Sequence, residues 1–299
     1  MNEIYIFNTA KLAVKSIINT ASIYPKPGLI TPIDNNALDG VDYQCLIDSA
    51  MSLFQCFINL ASAGSDSEAL KPDDAFTIMI SPGRIGRNDV LRASRGKLSL
   101  KGHILSLGLL SAAAGRLLAQ NRILTPGALV LTASSFAEGL IERDLWPLED
   151  LRGKKIFTDG ERVYLSYGIE GCRGEVEHGY TMTLKAVESL RRLKATQGQL
   201  NFRERCTHTL IEIIAENQDS TLAAHGGITE LIKVQDEARN VIESGGMLTS
   251  SGIEAIFNMD KNLRSRGVSP MGSAVILSGA LFIMELAEMK LTRSGYDEK

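Results

Sequence analysis

Apolar residues recur at three- and four-residue intervals along most of the chain, and alternating patterns bounded by turn pairs are nearly absent. A chain written this way can bury its apolar stripes only by stacking helices on one another, which predicts an all-α fold. The spacing places helices at roughly 3–22, 42–63, 100–120, 125–143, 182–196, 202–217, 228–244, 251–264 and 270–290. Several carry punctuation. Ser251 with Glu254 reads as a capping box, and Ser269 before Pro270 as an N-cap with proline at the first helical position. Gly245-Gly246 supplies left-handed backbone that ends the preceding helix. Gly108, Ala112 and Gly115 share one face of 100–120, so another helix can approach closely there.

The stretch 64–99, interrupted by Gly64, Pro72, Pro82-Gly83 and Gly86, reads as connecting loops and short helices. Residues 145–162 read as a surface excursion and 291–299 as a frayed charged tail. No repeat or composition shift divides the chain, so 1–290 is expected to be a single large helical domain.

Charge and composition narrow the partners. With 32 basic against 35 acidic residues the net charge is −3, which offers nucleic acid no overall basic field, so an anionic ligand must be held by a local cluster. The most apolar stretches, Ile104–Leu118 and Met271–Leu286, run about 15 residues before Arg116 or Glu285 intrudes, against the roughly 20 a bilayer requires. They are expected to be buried core helices, with no membrane partner. Cys45, Cys56, Cys172 and Cys206 never take the two-residue spacing of a zinc or redox motif, and free thiols in a reducing compartment follow. Residues 1–21 mix Asn2, Glu3, Lys11 and Lys15 into the apolar pattern and do not read as a signal peptide, so a cytoplasmic protein is expected.

The chemistry-bearing feature is a set of glycine-rich polar turns at helix ends: Pro25-Lys26-Pro27-Gly28, Lys101-Gly102, Gly171-Cys172-Arg173-Gly174-Glu175, His225-Gly226-Gly227 and Ser269-Pro270-Met271-Gly272-Ser273. Helix starts with close glycines expose backbone N–H groups that bind phosphate, and a neighbouring Lys or Arg completes the charge balance. Each turn taken singly is as well explained by a structural cap. Taken in order, they resemble the triphosphoribosyl-dephospho-CoA synthase family. The resemblance spans about residues 10–286 and includes Tyr24–Ile30, Leu105–Gly115, Tyr167-Gly168, Asp219 and Ala274, while Thr31-Pro32-Ile33-Asp34 is closer to the malonate decarboxylase branch.

The resemblance implies a pentosyltransferase that moves the triphosphoribosyl group of ATP to the 2′-hydroxyl of 3′-dephospho-CoA and releases adenine. The product is the prosthetic-group precursor for the acyl-carrier subunit of citrate lyase or malonate decarboxylase, on which a holo-transferase acts later. It implies Lys26, Lys101 and Arg173 as phosphate holders, with Gly28, Gly102, Gly174, His225, Gly226, Gly227, Ser269, Gly272 and Ser273 around the substrate. Glu175 and Asp219 become the carboxylates for Mg²⁺ or for general-base chemistry. Other roles stay open for some of these: Lys26 as a solvated loop charge, Asp219 as a helix cap, and Arg173 and Glu175 as partners of local backbone or distant charges.

The chain departs from the family pattern at polar positions. Leu38 and Gly40 stand where a His and an Asp are expected, and Leu98 and Leu100 where an Asn and a His precede Lys-Gly. Thr221 replaces an Asn, His225 an Arg, Gly267 an Asn and Val275 an Asp. These replacements support an alternative reading: a diverged, non-catalytic relative that binds a nucleotide or a partner, or a same-fold enzyme acting on another nucleotide.

Overall fold

The computed structural model describes residues 3–33 and 40–289, which form helices joined by turns, with no strand among the described residues. Leu38 and Asp34 lie outside them. The order is α1 (Glu3–Ser22), α2 (Tyr43–Met51), α3 (Phe54–Asp66), α4 (Pro72–Ala93), α5 (Lys101–Ala119), α6 (Pro126–Phe136) and α7 (Leu140–Asp144). A 3₁₀ turn at Trp146–Leu151 leads to α8 (Asp159–Tyr167), α9 (Cys172–Glu177), α10 (Thr181–Thr196) and α11 (Phe202–Glu216). The chain continues through α12 (Ser220–Glu243), α13 (Ser250–Arg266) and α14 (Met271–Glu288).

α5 is the axis of the core, buried continuously from Ser106 to Leu117. α3 crosses it where the small residues were expected to admit a neighbour. A Cβ at Gly64 would lie 1.9 Å from the Ala112 carbonyl oxygen, and one at Gly115 2.0 Å from that of Ala61. The two backbones therefore touch, and only glycine fits. α1 and α14 lie beside this pair, and one apolar cluster takes residues from Ala10 on α1 to Leu286 on α14. A small satellite, Ile141, Leu145 and Leu148, sits under the 3₁₀ turn. By length and composition Tyr43–Asp66, α5 and α14 could each cross a membrane, so the expected shortfall in length does not hold; α5 and α14 instead lay most of their apolar windows against other helices.

The largest correction concerns 64–99. Instead of loops and short helices it holds α4, 22 residues long and passing straight through Pro82. Proline in a helix interior removes one backbone bond and crowds the preceding turn, a cost of about 3 kcal/mol that tertiary packing must offset. The packing is specific: a Cβ at Gly86 would meet Cys56 Sγ at 2.4 Å, and that thiol donates to the Pro82 carbonyl at 3.4 Å. Gly86, which looks like a break, is a contact point with α3, and Gly64 one between α3 and α5. The expected helix at 42–63 divides into α2 and α3, and that at 125–143 into α6 and α7, where Gly139 turns to φ 73°.

Two expected caps are replaced. α13 starts from Thr249, whose hydroxyl accepts from Gly252 N, while Ser251 Oγ bonds back to the Ser244 carbonyl. α14 is capped by Asp219, 54 residues before Ser273 in the chain, and Ser269 Oγ is buried with no partner. Capping boxes occur instead at Thr158/Glu161 and Asn201/Glu204.

Candidate active site at converging helix starts

Three of the glycine turns meet, together with the start of α12. Gly102, at the start of α5, lies under Val275 of α14, where a Cβ would come within 3.0 Å of the valine methyl. Cys172 Sγ, at the start of α9, donates to the Gly102 carbonyl at 3.5 Å. Gly171 abuts Ser220 at the start of α12, its ideal Cβ 2.9 Å from Ser220 Oγ. Asp219 closes the circuit from α12 to α14. The starts of α5, α9, α12 and α14 thus form a ring, and helix starts present unpaired N–H groups and the positive end of the helix dipole.

Asp219 is 1% exposed and its oxygens are fully engaged. Oδ1 accepts from Thr221 N at 3.0 Å, Thr221 Oγ1 at 2.5 Å and Gly272 N at 3.3 Å. Oδ2 accepts from Ser273 N at 2.8 Å and Ser273 Oγ at 2.9 Å. Glu175 is used in the same way for α10: Oε1 accepts from Thr183 N at 2.7 Å and Thr183 Oγ1 at 2.8 Å, and Oε2 from Met182 N at 3.3 Å. In this arrangement both carboxylates are caps, which satisfy orphan donors and oppose the dipole. Among the described residues no group of three or more His, Cys, Asp or Glu gathers as a metal-holding set. The donor set therefore does not fit an ion held by Glu175 and Asp219.

The cations divide by position. Lys101, exposed at the first position of α5, has its pKa lowered by desolvation and then by Arg87, with Arg173 acting the same way and Glu161 and Asp159 opposing. Neither Lys101 nor Arg87 forms an ion pair among the described residues, whereas Arg173 Nε reaches Asp144 at 3.0 Å. Arg87 lies on α4, in the stretch expected to be loops and short helices. The signals for that helix were present, with Pro72 at its first position, Asp73 and Asp74 in its first turn and Arg92 in its last.

Lys26 is not on the surface of the ring. It is 3% exposed and its ammonium donates to the Thr20 and Ala21 carbonyls, both at 2.9 Å, closing the end of α1. Burial, and next the Arg264 charge, bring its pKa down to about 7. The same loop is braced by Gly28 N donating to Asp260 Oδ1 at 2.8 Å, and Gly28 presses on the Val268 carbonyl just before Ser269. Gly174 is buried against Glu170. His225 is exposed, its Nδ1 2.9 Å from the Thr221 carbonyl, and Gly226-Gly227 break α12 immediately after it, with Gly227 at φ 71° against Tyr167 Oη.

The departures from the family pattern have local physical accounts. Leu98 and Leu100 pack on the core, and Leu100 takes a left-handed φ of 43°. Gly267 caps α13 at φ 67°, a conformation glycine and asparagine both tolerate. Thr221 Oγ1 accepts from Met271 N at 3.1 Å and so ties α12 to α14. The Gly40 carbonyl accepts from Lys97 Nζ at 2.7 Å.

Helix starts gathered beside Lys101, on an all-helical scaffold, are an arrangement suited to anionic ligands. The family model described as ATP:dephospho-CoA triphosphoribosyl transferase matches residues 7–294, and the chain belongs to that family of transferases. It is 30% identical over 280 residues to a probable 2-(5''-triphosphoribosyl)-3'-dephosphocoenzyme-A synthase of Citrobacter koseri, covering 94% of this chain and 91% of the relative. It is also 30% identical over 270 residues to the 2-(5''-triphosphoribosyl)-3'-dephosphocoenzyme-A synthase of Klebsiella pneumoniae, covering 90% and 87%. No solved structure matches the chain.

Proposed function

We propose that the chain transfers the triphosphoribosyl group of ATP to the 2′-hydroxyl of 3′-dephospho-CoA. The observation that carries this reading is the ring of helix starts with Lys101 beside it and the like charge of Arg87 acting on it, neither held in an ion pair among the described residues and only partly offset by Glu161 and Asp159. Such a pair is unfavourable until an anion lies between them, and a triphosphate meets that need while accepting from the first backbone N–H groups of α5. Holding the triphosphate fixes the attached ribose, which supplies orientation for displacement at C1′. The acceptor oxygen forms a bond to C1′, the C1′–N9 bond breaks, and adenine leaves with that electron pair and takes up a proton.

In this proposal Glu175 and Asp219 hold the helix starts in register. Mg²⁺ would be bound chiefly by the substrate phosphates and water, a usual mode for that ion. The product would be the precursor of an acyl-carrier prosthetic group. The Thr31-Pro32-Ile33-Asp34 sequence favours the malonate decarboxylase branch over citrate lyase, in a cytoplasmic setting.

A second reading, a non-catalytic relative, is favoured by Leu98 and Leu100 on the core and Val275 over Gly102. Incubating the protein with ATP, Mg²⁺ and 3′-dephospho-CoA, then separating free adenine from the triphosphoribosylated product, decides between them. Enzyme-dependent appearance of both is expected. Neither appearing, while a known synthase works in parallel, would establish the second reading.

A further inference from the structure

With Glu175 and Asp219 engaged as caps, the base for the acceptor hydroxyl must come from elsewhere, and a buried hydrogen-bond chain prepares one. Thr20 Oγ1 donates its single proton to the Ser16 carbonyl at 3.0 Å, so toward Ser278 it can only accept. Ser278 Oγ donates to Thr20 Oγ1 at 2.9 Å or to the Ala274 carbonyl at 2.9 Å, and either way its own proton is used. The contact with His103 Nε2, at 3.3 Å the longest of the three, is then the one in which the imidazole donates. The proton is pinned on Nε2, and the lone pair of the ring is on Nδ1.

That nitrogen makes no hydrogen bond among the described residues, and His103 is only partly buried, so the ring is open to solvent on one side. His103 is the third residue of α5, and helical side chains lean over the turn before their own Cα, which here is the open start of the helix. Desolvation lowers its pKa to about 4, so the ring is neutral and able to accept near pH 7. The other imidazoles are placed differently. His208 is buried and accepts from Met247 N, His178 pairs with Glu170, and His225 stands exposed on α12.

We infer that His103 is the general base of the transfer, its Nδ1 receiving the proton of the acceptor hydroxyl as that oxygen bonds to C1′. The inference rests on the reaction proposed above. The proton leaves oxygen for Nδ1, the C1′–N9 electron pair departs with adenine, and the imidazolium later returns its proton to solvent. Ser278 and Thr20 are positioning residues, since they fix the tautomer and do not touch substrate.

The test combines kinetics with imidazole ¹⁵N NMR of the full chain. His103→Ala is expected to lower kcat by about 100-fold or more while KM for ATP stays within about 3-fold, with added imidazole restoring part of the rate. In the parent, the His103 resonances should show the Nε2–H tautomer, and 3′-dephospho-CoA should shift Nδ1. A kcat within about 3-fold of the parent in the variant, or an Nδ1–H tautomer in the parent, overturns the inference. If the parent makes no product, the proposed reaction fails; the assignment of His103 to the acceptor site then stands if 3′-dephospho-CoA shifts Nδ1 and falls if it does not.

Discussion

Lys26 carries a residue-scale consequence of enclosing a charge. Its ammonium meets two carbonyls and no carboxylate, and its pKa falls to about 7 against about 10.4 in an unfolded chain. Between those values the unfolded state binds more protons, so stability rises with pH; the penalty is fully present below about pH 7. Cys56, Cys172 and Cys206 act in the opposite sense. Burial pushes each thiol up to about 12, so their effect sets in once unfolded thiols ionise, above about pH 8.5. Urea midpoints should therefore show a gain of about 1.5 kcal/mol between pH 7 and 8.5 in the parent, and Lys26→Met should flatten that rise. The identity of this lysine was legible in the Pro-Lys-Pro-Gly motif, but its direction was not. Two flanking prolines read equally well as an exposed loop, and only the end of α1 shows where the amine goes.

Among the elements, the contact between α3 and α5 is the most demanding. Gly64→Ala would drive a methyl into the Ala112 carbonyl, and a loss of about 3 kcal/mol or more is expected in denaturant titration. Gly127, in the first turn of α6, has nothing within 4 Å of an added Cβ, so Gly127→Ala should instead gain about 0.5–1 kcal/mol. This contrast explains what the sequence could reveal. The Gly108, Ala112 and Gly115 face is periodic, so it declares a close approach from local spacing alone. In α4 the same use of Gly86 stands close to Pro82-Gly83, and local rules favour a break. The contacts that override them, Cys56 and Leu53 on the far side of Gly86, come from 30 residues away. The Asp219 cap on α14 was hidden for the same reason, since Ser269-Pro270 offers a plausible cap in sequence while the carboxylate that does the capping arrives through the fold.

For the whole molecule, the site is a property of arrangement. Its glycine turns, Lys101, Arg173 and the two carboxylates were readable from the chain, but their meeting in a ring was not. Arg87 was lost along with its helix. Lys101→Ala and Arg87→Ala should each raise KM for ATP about tenfold, and the double variant should fall short of the product because both face one ligand. Arg203→Ala, at the exposed start of α11, serves as the control and should leave KM unchanged. The carboxylate of Asp219 holds the first amides of two helices that lie 50 residues apart in the chain. Opening either helix start loosens the other, so the amides of Thr221, Gly272 and Ser273 should gain and lose protection from hydrogen exchange together. The floor of the site does not fray piecemeal, and the breathing that lets substrate in and product out must be drawn from other parts of its rim.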